Sequence, residues 1–171
     1  YLQKTMDKEN PHVQQLVNNV AKTMVEQIDH LSHIAGEFNQ FANIERSNKE
    51  PINLNSILKS VIYLFEADER VEIKYELLNQ EVRIEADKSH ANRIFTNLIK
   101  NAIQAVPEDR KAVVHITETL HQQEVIVAIR DNGTGIKEEL QANIFMPNFT
   151  TKTSGTGLGL AMCKRMVEHA G

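Results

Sequence analysis

The sequence predicts an α+β protein in which a two-layer α/β sandwich follows one long helix. Apolar residues recur at steps of three and four over residues 11–43, which is typical of a helix of about four heptads. Further along the chain, short segments alternate apolar and polar residues, as half-buried strands do. Helical segments flank these strands in the order helix-strand-strand-helix-strand-strand-helix, which predicts a sheet covered by helices on one face.

The long helix has a clear start signal, because Asn10 is suited to the N-cap and Pro11 to the first helical position. A helix over residues 11–43 is roughly 50 Å long, and its apolar stripe requires a partner. That partner is either another subunit in a helical bundle, which the length favours, or the second helix of a monomeric hairpin. The stripe consists of Val13, Val17, Val20, Met24, Ile28, Leu31, Ala35 and Phe38.

A polar segment containing Pro51, residues 43–53, predicts a linker and a domain boundary. The boundary divides the chain into residues 1–46, a helical part, and residues 47–171, the sandwich. The sandwich is expected to contain a helix from 53 or 55 to about 65, strands at 71–77 and 81–86, a helix from 87 or 89 to about 106, a hairpin of strands at 113–120 and 124–130, a short helix at 137–144 and a final helix at 158–169.

Composition excludes several classes of protein. The chain has 171 residues, 41% of them hydrophobic and 25% charged, with a net charge of −4. It has no long basic run, which argues against binding through nucleic-acid phosphates, and no apolar run near the roughly 18 residues that span a bilayer. The single cysteine, Cys163, excludes an internal disulfide, and we expect a buried, inert thiol. The absence of an initial methionine and the ending on a helix cap suggest a cytoplasmic fragment whose C-terminal strands are missing.

Glycine marks the candidate site. Five of the seven glycines fall in two short stretches, DNGTGI at 131–136 and GTGLGL at 155–160, and glycine serves where backbone must approach a ligand closely. The second stretch resembles a dinucleotide fingerprint, but no strand leads into it, and it lacks the lysine of a Walker A loop. It is a glycine loop that feeds a helix N-terminus, where free N–H groups attract phosphate.

Four motifs in order carry a resemblance that covers essentially the whole chain. They are NLIKNAIQA at 97–105, DNGTG at 131–135, the stretch from Phe145 to Phe149, and GTGLG at 155–159. Together they resemble the Bergerat-type (GHKL) ATP-binding domain, a mixed sheet covered by helices, shared by sensor histidine kinases, gyrase, ninety-kilodalton heat-shock chaperones and mismatch-repair ATPases. The long helix resembles the second dimerisation helix of a histidine kinase, and FNQFA at 38–42 with PINLN at 51–55 is similar to the nitrogen-regulation type.

The resemblance implies roles for individual residues. It places Asp131 against the exocyclic amine of adenine, where an acceptor-only carboxylate disfavours guanine. Asn101 resembles the magnesium ligand, and Asn97, one turn earlier, is the companion group directed at the phosphates; both are the expected catalytic residues. The expected nucleotide-binding residues are Asn97, Lys100, Asn101, Asp131, Gly133, Gly135, Ile136, Phe149, Thr150, Thr151, Lys152, Gly155, Thr156, Gly157, Leu158, Gly159 and Leu160.

Position 97 also separates the branches of this superfamily. Relatives that hydrolyse ATP have a glutamate there as general base, whereas Asn97 cannot take a proton, which favours a kinase. The chain departs from many sensor kinases at Gln104, where they have a lysine. Phosphate neutralisation is then expected to rely on Lys100 or on Lys152 of the expected ATP lid, and the alternative for Lys152 is a solvated lysine that contacts no phosphate.

No histidine fits the motif of a phosphoacceptor, in which an acidic residue and then a proline follow. His30 and His33, on the long helix, are predicted to lie on its polar face, and the acceptor is expected upstream of Tyr1. No zinc site is implied by the histidine spacings.

The implied protein is the ATP-binding core of a two-component sensor histidine kinase. It uses ATP and Mg²⁺ to phosphorylate a histidine, absent from this fragment, and then a response-regulator aspartate. Its partners are a receiver domain and a second copy bound through helices before residue 46, and any membrane anchor lies in missing N-terminal regions. The alternatives are an ATP-gated ATPase of the gyrase, chaperone or mismatch-repair type and a non-enzymatic dimerisation module with a degenerate pocket.

Overall fold

The computed structural model describes residues 11–122, 124–152 and 155–170. It divides into two compact units, of which the first ends at Ala42 and the second begins at Asn43. The domain boundary predicted after residue 46 stays a prediction. No described helix is both long and apolar enough to cross a membrane.

The first unit contains one helix, α1 (Pro11–Ala42), of 32 residues, as the apolar spacing predicted. Its predicted cap, Asn10, lies outside the described residues. The side chains along its stripe are largely exposed, with Val20 at 45% and Leu31 at 64%. His30 and His33 lie within α1, but their side chains are outside the part that the structure describes. A long amphipathic helix with its apolar stripe in solvent is unstable by itself, so α1 requires a partner surface.

The predicted linker is wrong for most of its length. Residues 43–53 contain a 3-10 turn, Ile44–Arg46, and a strand, β1 (Glu50–Asn53). Both are held by apolar side chains within the polar segment, since Ile44 is fully buried and Ile52 nearly so. Pro51 is compatible with a strand here because β1 pairs with one neighbour only, β3, and proline is tolerated in such edge strands.

Capped helices alternate with strands in the second unit. In α2 (Leu54–Glu66), Asn53 is the N-cap and its side chain accepts a hydrogen bond from the Ser56 N–H at 3.0 Å. In α3 (Lys88–Gln104), Asp87 is the N-cap and accepts from the Ser89 N–H at 2.8 Å. The remaining elements are β2 (Val71–Glu76), β3 (Arg83–Ala86), β4 (Ala112–His121), β5 (Glu124–Asp131), α4 (Glu138–Gln141) and α5 (Gly159–Ala170).

The strands form two ladders. β1 and β3 are antiparallel, while β2, β4 and β5 form a three-stranded mixed sheet in which β2 is parallel and β5 antiparallel to β4. β4 alternates buried and more exposed residues, and its buried side chains Val114 and Ile116 join a core with Ile62 of α2 and Ile99 of α3. The helices therefore cover one face of the sheet, as predicted.

One charged residue lies on the buried side of β4. Glu118 is only 4% exposed, and its Oε2 accepts hydrogen bonds from Asn55 Nδ2 at 3.0 Å and from the Leu78 N–H at 2.9 Å. Asn55 Oδ1 accepts in turn from the Val82 N–H at 3.0 Å. This network ties α2 and β4 to the segment between β2 and β3.

Candidate nucleotide-binding site

The C-terminal half of α3 carries a polar ridge. Asn97, Asn101 and Gln104 follow one another at steps of four and three, so they share one side of the helix. Asn97 and Asn101 are half-buried, whereas Gln104 and Lys100 are exposed. Each carboxamide has an acceptor oxygen and an NH2 donor group, the kinds of atom that a phosphate or metal site uses.

Asn97 fits into a slot on α5. Its Nδ2 donates to Cys163 Sγ at 3.3 Å, and a Cβ on Gly159 would lie 2.6 Å from the same nitrogen. The Asn97 side chain thus occupies the space that a side chain at position 159 would need, which accounts for the glycine at this position. Burial raises the pKa of the Cys163 thiol, although the hydrogen bond from Asn97 and the charge of Arg93 lower it.

Cys163 is buried as expected, but it contacts a site residue rather than only filling the core. The sequence signal for this contact is its spacing from Gly159, which puts both residues on the same face of α5. The contact between α3 and α5 is long-range, so the partner could not be found from spacing alone.

The first glycine stretch follows β5 and is attached to the end of α3. A Cβ on Gly133 would lie 2.7 Å from the Ala105 carbonyl oxygen, and the Thr134 N–H donates to that same oxygen at 3.1 Å. Asp131 Oδ1 accepts the Gly133 N–H at 2.8 Å, and the carboxylate is exposed. The close approach of backbone to α3 thus requires glycine at 133 and presents Asp131 at the helix end.

Asn132 makes that turn rigid. Its Oδ1 accepts the Val113 N–H at 2.9 Å and its Nδ2 donates to the Lys111 carbonyl at 3.1 Å, so the side chain connects the turn to the start of β4. Gly135 has a φ of +72°, a conformation that disfavours other residues. Ile136 beyond it is 51% exposed.

The second glycine stretch packs on the phenylalanine segment. Gly157 has a φ of +70°, and a Cβ there would lie 2.5 Å from the Asn148 carbonyl carbon and 2.7 Å from the Phe149 nitrogen. Phe149 is half-buried and Leu158 is buried. Because α5 starts at Gly159 directly after this loop, the stretch aligns the N-terminus of α5 beside Asn97.

The segment that was expected to form the ATP lid contributes Lys152. Its Nζ donates to Asn101 Oδ1 at 3.0 Å and to Gln104 Oε1 at 2.7 Å. Partial burial of the ammonium lowers the pKa of Lys152, and the charge of Lys100 lowers it further. Asn101 thus directs its oxygen at a position that a cation already occupies, and carboxamide oxygens are among the hard ligands that Mg²⁺ uses.

The predicted residues fall into two groups that α3 connects. Asn97, Asn101, Lys152 and Gly159 meet at one side of α3, and Asp131 with Gly133 meets its C-terminal end. Thr150 contacts only its own loop among the described hydrogen bonds, accepting from the Lys152 N–H at 3.0 Å. The other expected contacts are Lys100, Thr151, Gly155, Thr156 and Leu160. Among the described hydrogen bonds, none joins Lys100, Thr151, Gly155 or Leu160 to Asn97, Asn101 or Asp131.

A separate apolar cavity is not part of this site. It has a volume of about 340 Å³, and its walls include Phe95, Leu98, Val127 and Met166. None of Asn97, Asn101 and Asp131 lines it. Its apolar walls suit hydrocarbon rather than a charged nucleotide.

Comparison with known proteins identifies the family. The family model of histidine kinase-, DNA gyrase B- and HSP90-like ATPases matches residues 86–171, half of the chain and all four motifs. The chain belongs to this family. Its relatives include the signal transduction histidine-protein kinase AtoS of Escherichia coli K12, 32% identical over 86% of this chain and 25% of AtoS. The nitrogen regulation protein NtrY of Azorhizobium caulinodans is 26% identical over 92% of this chain and 21% of NtrY.

Solved structures agree with these sequence relatives. The catalytic domain of histidine kinase ThkA superposes with a TM-score of 0.65 at 36% identity, covering 72% of this chain and 82% of that domain. ThkA in complex with the response regulator protein TrrA gives a TM-score of 0.69 at 25% identity, covering 99% of this chain and 48% of ThkA. These matches confirm the prediction of an ATP-binding sensor histidine kinase core, with a nitrogen-regulation protein among its relatives, and do not favour the gyrase or chaperone alternative. The chain spans about a quarter of the length of the curated relatives described here.

Proposed function

We propose that this histidine kinase core binds Mg²⁺-ATP on the α3 ridge and delivers the γ-phosphoryl group to a histidine of the same signalling protein. The observation that carries the proposal is the grouping of Asn97, Asn101 and Lys152 on one side of α3, with Asp131 at the end of that helix. This arrangement offers an adenine acceptor at one end and phosphate and metal contacts at the other.

Asp131 selects the base in this proposal. Its Oδ1 accepts the Gly133 N–H, so the carboxylate is fixed while its other oxygen remains available to a donor. The exocyclic amine of adenine is such a donor, whereas guanine presents a carbonyl oxygen in the same place and is repelled.

Asn101 is the residue that would hold Mg²⁺. The approach of the Lys152 ammonium to its Oδ1 at 3.0 Å supports this assignment, because the oxygen is already directed at a position that accepts positive charge. When bound, Mg²⁺ would neutralise the phosphate oxygens and complete its octahedron with them and with water.

Asn97 preserves the phosphoryl group for its acceptor. A carboxamide cannot remove a proton from water, and the bond to Cys163 together with the tight contact at Gly159 fixes its orientation. Catalysis then consists of positioning and charge neutralisation, which are the main terms in phosphoryl transfer.

The remaining partners follow from the same reasoning. The exposed stripe of α1, with Met24, Ile28 and Phe38 each at least 60% exposed, suits a second copy in a helical bundle. A response-regulator receiver domain is the proposed final acceptor, and the complex of ThkA with the response regulator protein TrrA supports this kind of partner. The first acceptor is proposed to be a histidine upstream of Tyr1 rather than His30 or His33.

Calorimetry on this chain tests the proposal. We expect Mg²⁺-dependent binding of ADP and of a non-hydrolysable ATP analogue, and no comparable binding of the guanine nucleotides. Asp131→Asn and Asn101→Ala should each weaken binding at least a hundredfold, because each removes a contact to base or metal that no neighbour replaces.

Two matched variants control for general damage. Asp109→Asn alters an exposed carboxylate beyond α3, and Asn92→Ala removes an asparagine from α3 whose side chain, in the described part of the chain, bonds only to the Lys88 carbonyl. Both variants should bind nucleotide as the unaltered chain does. Unchanged affinity in Asp131→Asn and Asn101→Ala would overturn the site. Rapid release of phosphate from ATP would overturn the kinase assignment.

A further inference from the structure

Gln104 is the one residue on the α3 ridge that departs from the pattern of many sensor kinases, which have a lysine there. The structure pairs this departure with the lid. Lys152 Nζ lies 2.7 Å from Gln104 Oε1, the shorter of its two hydrogen bonds. The two residues are 48 positions apart in the chain, so the pairing connects α3 to the lid.

The partners of Lys152 are neutral. Both acceptors are carboxamide oxygens, and within residues 11–122, 124–152 and 155–170 no ion pair of Lys152 is found. A carboxylate partner would cancel the ammonium charge, whereas an amide oxygen orients it and leaves it uncompensated. The charge of Lys152 therefore remains available to an anion on the same side of α3.

Lys100 does not provide the same position. It precedes Asn101 directly, and adjacent residues of a helix point about 100° apart. It is exposed, and among the described hydrogen bonds none joins it to Asn101 or Gln104. The ammonium group that bonds to Asn101 Oδ1, the proposed metal-binding oxygen, is therefore that of Lys152, from the lid segment.

We propose that Gln104 is a positioning residue that holds the Lys152 ammonium over the phosphate end of the site. Where many sensor kinases have a lysine on α3, this chain has Gln104, which accepts a hydrogen bond from the lid lysine Lys152. With Mg²⁺ held by the Asn101 oxygen, Lys152 would still be bonded to Gln104 and would present its charge to the terminal phosphate. The phosphate half of this inference rests on the proposed function, whereas the docking of Lys152 on Gln104 does not.

Tryptic cleavage after Lys152, without nucleotide, tests the docking alone. Trypsin must take the lysine side chain into its own pocket, so a docked Lys152 is cleaved slowly. Gln104→Ala should speed this cleavage about fivefold, since a hydrogen bond to a charged group is lost. Gln80→Ala, a change at an exposed glutamine far along the chain, should leave the rate unchanged. Equal rates in Gln104→Ala and the unaltered chain would overturn the docking.

Calorimetry tests the role toward phosphate. Gln104→Ala and Lys152→Ala should each lower the affinity for a non-hydrolysable Mg²⁺-ATP analogue about fivefold. The affinity for ADP should fall less. The double variant should be no weaker than Lys152→Ala alone, because both changes remove the same cation. Gln104→Lys should restore affinity in the Lys152→Ala background, because it returns a cation to the same position. If Gln104 had only a structural role, this substitution would not restore affinity.

The outcomes separate the two proposals. Additive losses in the double variant, or equal losses for ADP and the triphosphate analogue, would overturn the positioning role while the nucleotide site stands. An unaltered chain that binds no nucleotide would overturn the proposed function and the phosphate half of this inference. The cleavage rates would then still decide whether Gln104 docks the lysine.

Discussion

Asn55 and Asn101 each bond a charged side chain, and they do so in opposite ways. Asn55 and Glu118 are both buried and bond to each other at 3.0 Å and to the backbone of Leu78 and Val82. Asn101 and Lys152 bond at the protein surface, also at 3.0 Å. We call the first the closed pair and the second the open pair.

The difference lies in what surrounds each pair. In the closed pair both side chains bond backbone groups of a neighbouring segment, and only Glu118 Oε1 is buried without a partner among the described residues. In the open pair the ammonium contacts two neutral oxygens and faces solvent. A closed pair fixes the protein to itself, because its polar groups are expensive to leave unpaired when buried. An open pair retains unused charge for a ligand.

Breaking the closed pair should give the largest effect on stability. Glu118→Ala leaves the part-buried Leu78 N–H without its acceptor and removes one of the two acceptors of Asn55 Nδ2, which keeps its bond to the Leu78 carbonyl oxygen. We therefore expect a loss of about 2 kcal/mol in the free energy of unfolding. Urea denaturation measures it. Thr119→Ala on the exposed face of β4 is the control, and Asn101→Ala should change stability by less than about 0.5 kcal/mol. A loss below about 1 kcal/mol in Glu118→Ala would contradict the assignment of a closed pair.

Asn97 stands between the two cases and can sharpen them. It bonds within the protein, to Cys163 at 3.3 Å, yet it is proposed to face phosphate. Gly159→Ala would put a Cβ 2.6 Å from Asn97 Nδ2 and so displace the carboxamide. We expect nucleotide affinity to fall about tenfold, with a loss of roughly 1 kcal/mol in stability from overpacking. Calorimetry and urea denaturation on the same sample separate the two effects.

The control for Gly159→Ala is Gly36→Ala on α1. No atom lies within 4 Å of a Cβ added there, so neither affinity nor stability should decrease. If Gly159→Ala lost stability but kept its affinity, the slot would be a packing feature and Asn97 would not be a ligand group.

The residues of the candidate nucleotide-binding site could largely be selected from the sequence, because they lie in contiguous motifs. Asp131, Gly133 and Gly157 adopt local geometries that the glycine spacing indicates, and Asn97 and Asn101 are one helical turn apart. The elements were also predicted, since their apolar periods are regular. β1 was missed because four residues around a proline give too short a pattern to separate a strand from a linker.

The closed pair was not predicted, because nothing local indicates it. Glu118 occupies an inward position of an alternating strand, where an apolar residue is expected, and Asn55 sits 63 residues earlier. The bonds of Gln104 to Lys152 and of Asn97 to Cys163 are equally long-range. Sequence motifs thus indicated the candidate ligand-facing groups, whereas the partners that orient those groups required the fold.

Asp87 and Asp131 extend the comparison between closed and open polar groups to two carboxylates, for which we expect the smallest effect on stability. Each accepts the N–H two residues on, but Asp87 also accepts from the Ser89 hydroxyl and the Asn48 N–H. Burial alone would raise the pKa of Asp87, and these bonds bring it to about 2. Like the closed pair, the Asp87 carboxylate uses its acceptor oxygens within the protein, although it lies near the surface. Asp87→Ala should lose about 1 kcal/mol at pH 7, as a lost N-cap does.

The pH dependence of that loss identifies its cause. The folded-state pKa of Asp87 is depressed, so its stabilisation is present above the unfolded-state pKa of about 3.9 and is lost as the pH falls toward about 2. The difference in unfolding free energy between the unaltered chain and Asp87→Ala should accordingly shrink between pH 5 and pH 2 in urea titrations. Asp87→Asn, which keeps a cap without the charge, should show a smaller loss at pH 7. A difference that stayed constant over this range would mean that the carboxylate contributes by packing alone, and the closed state of Asp87 would be wrong.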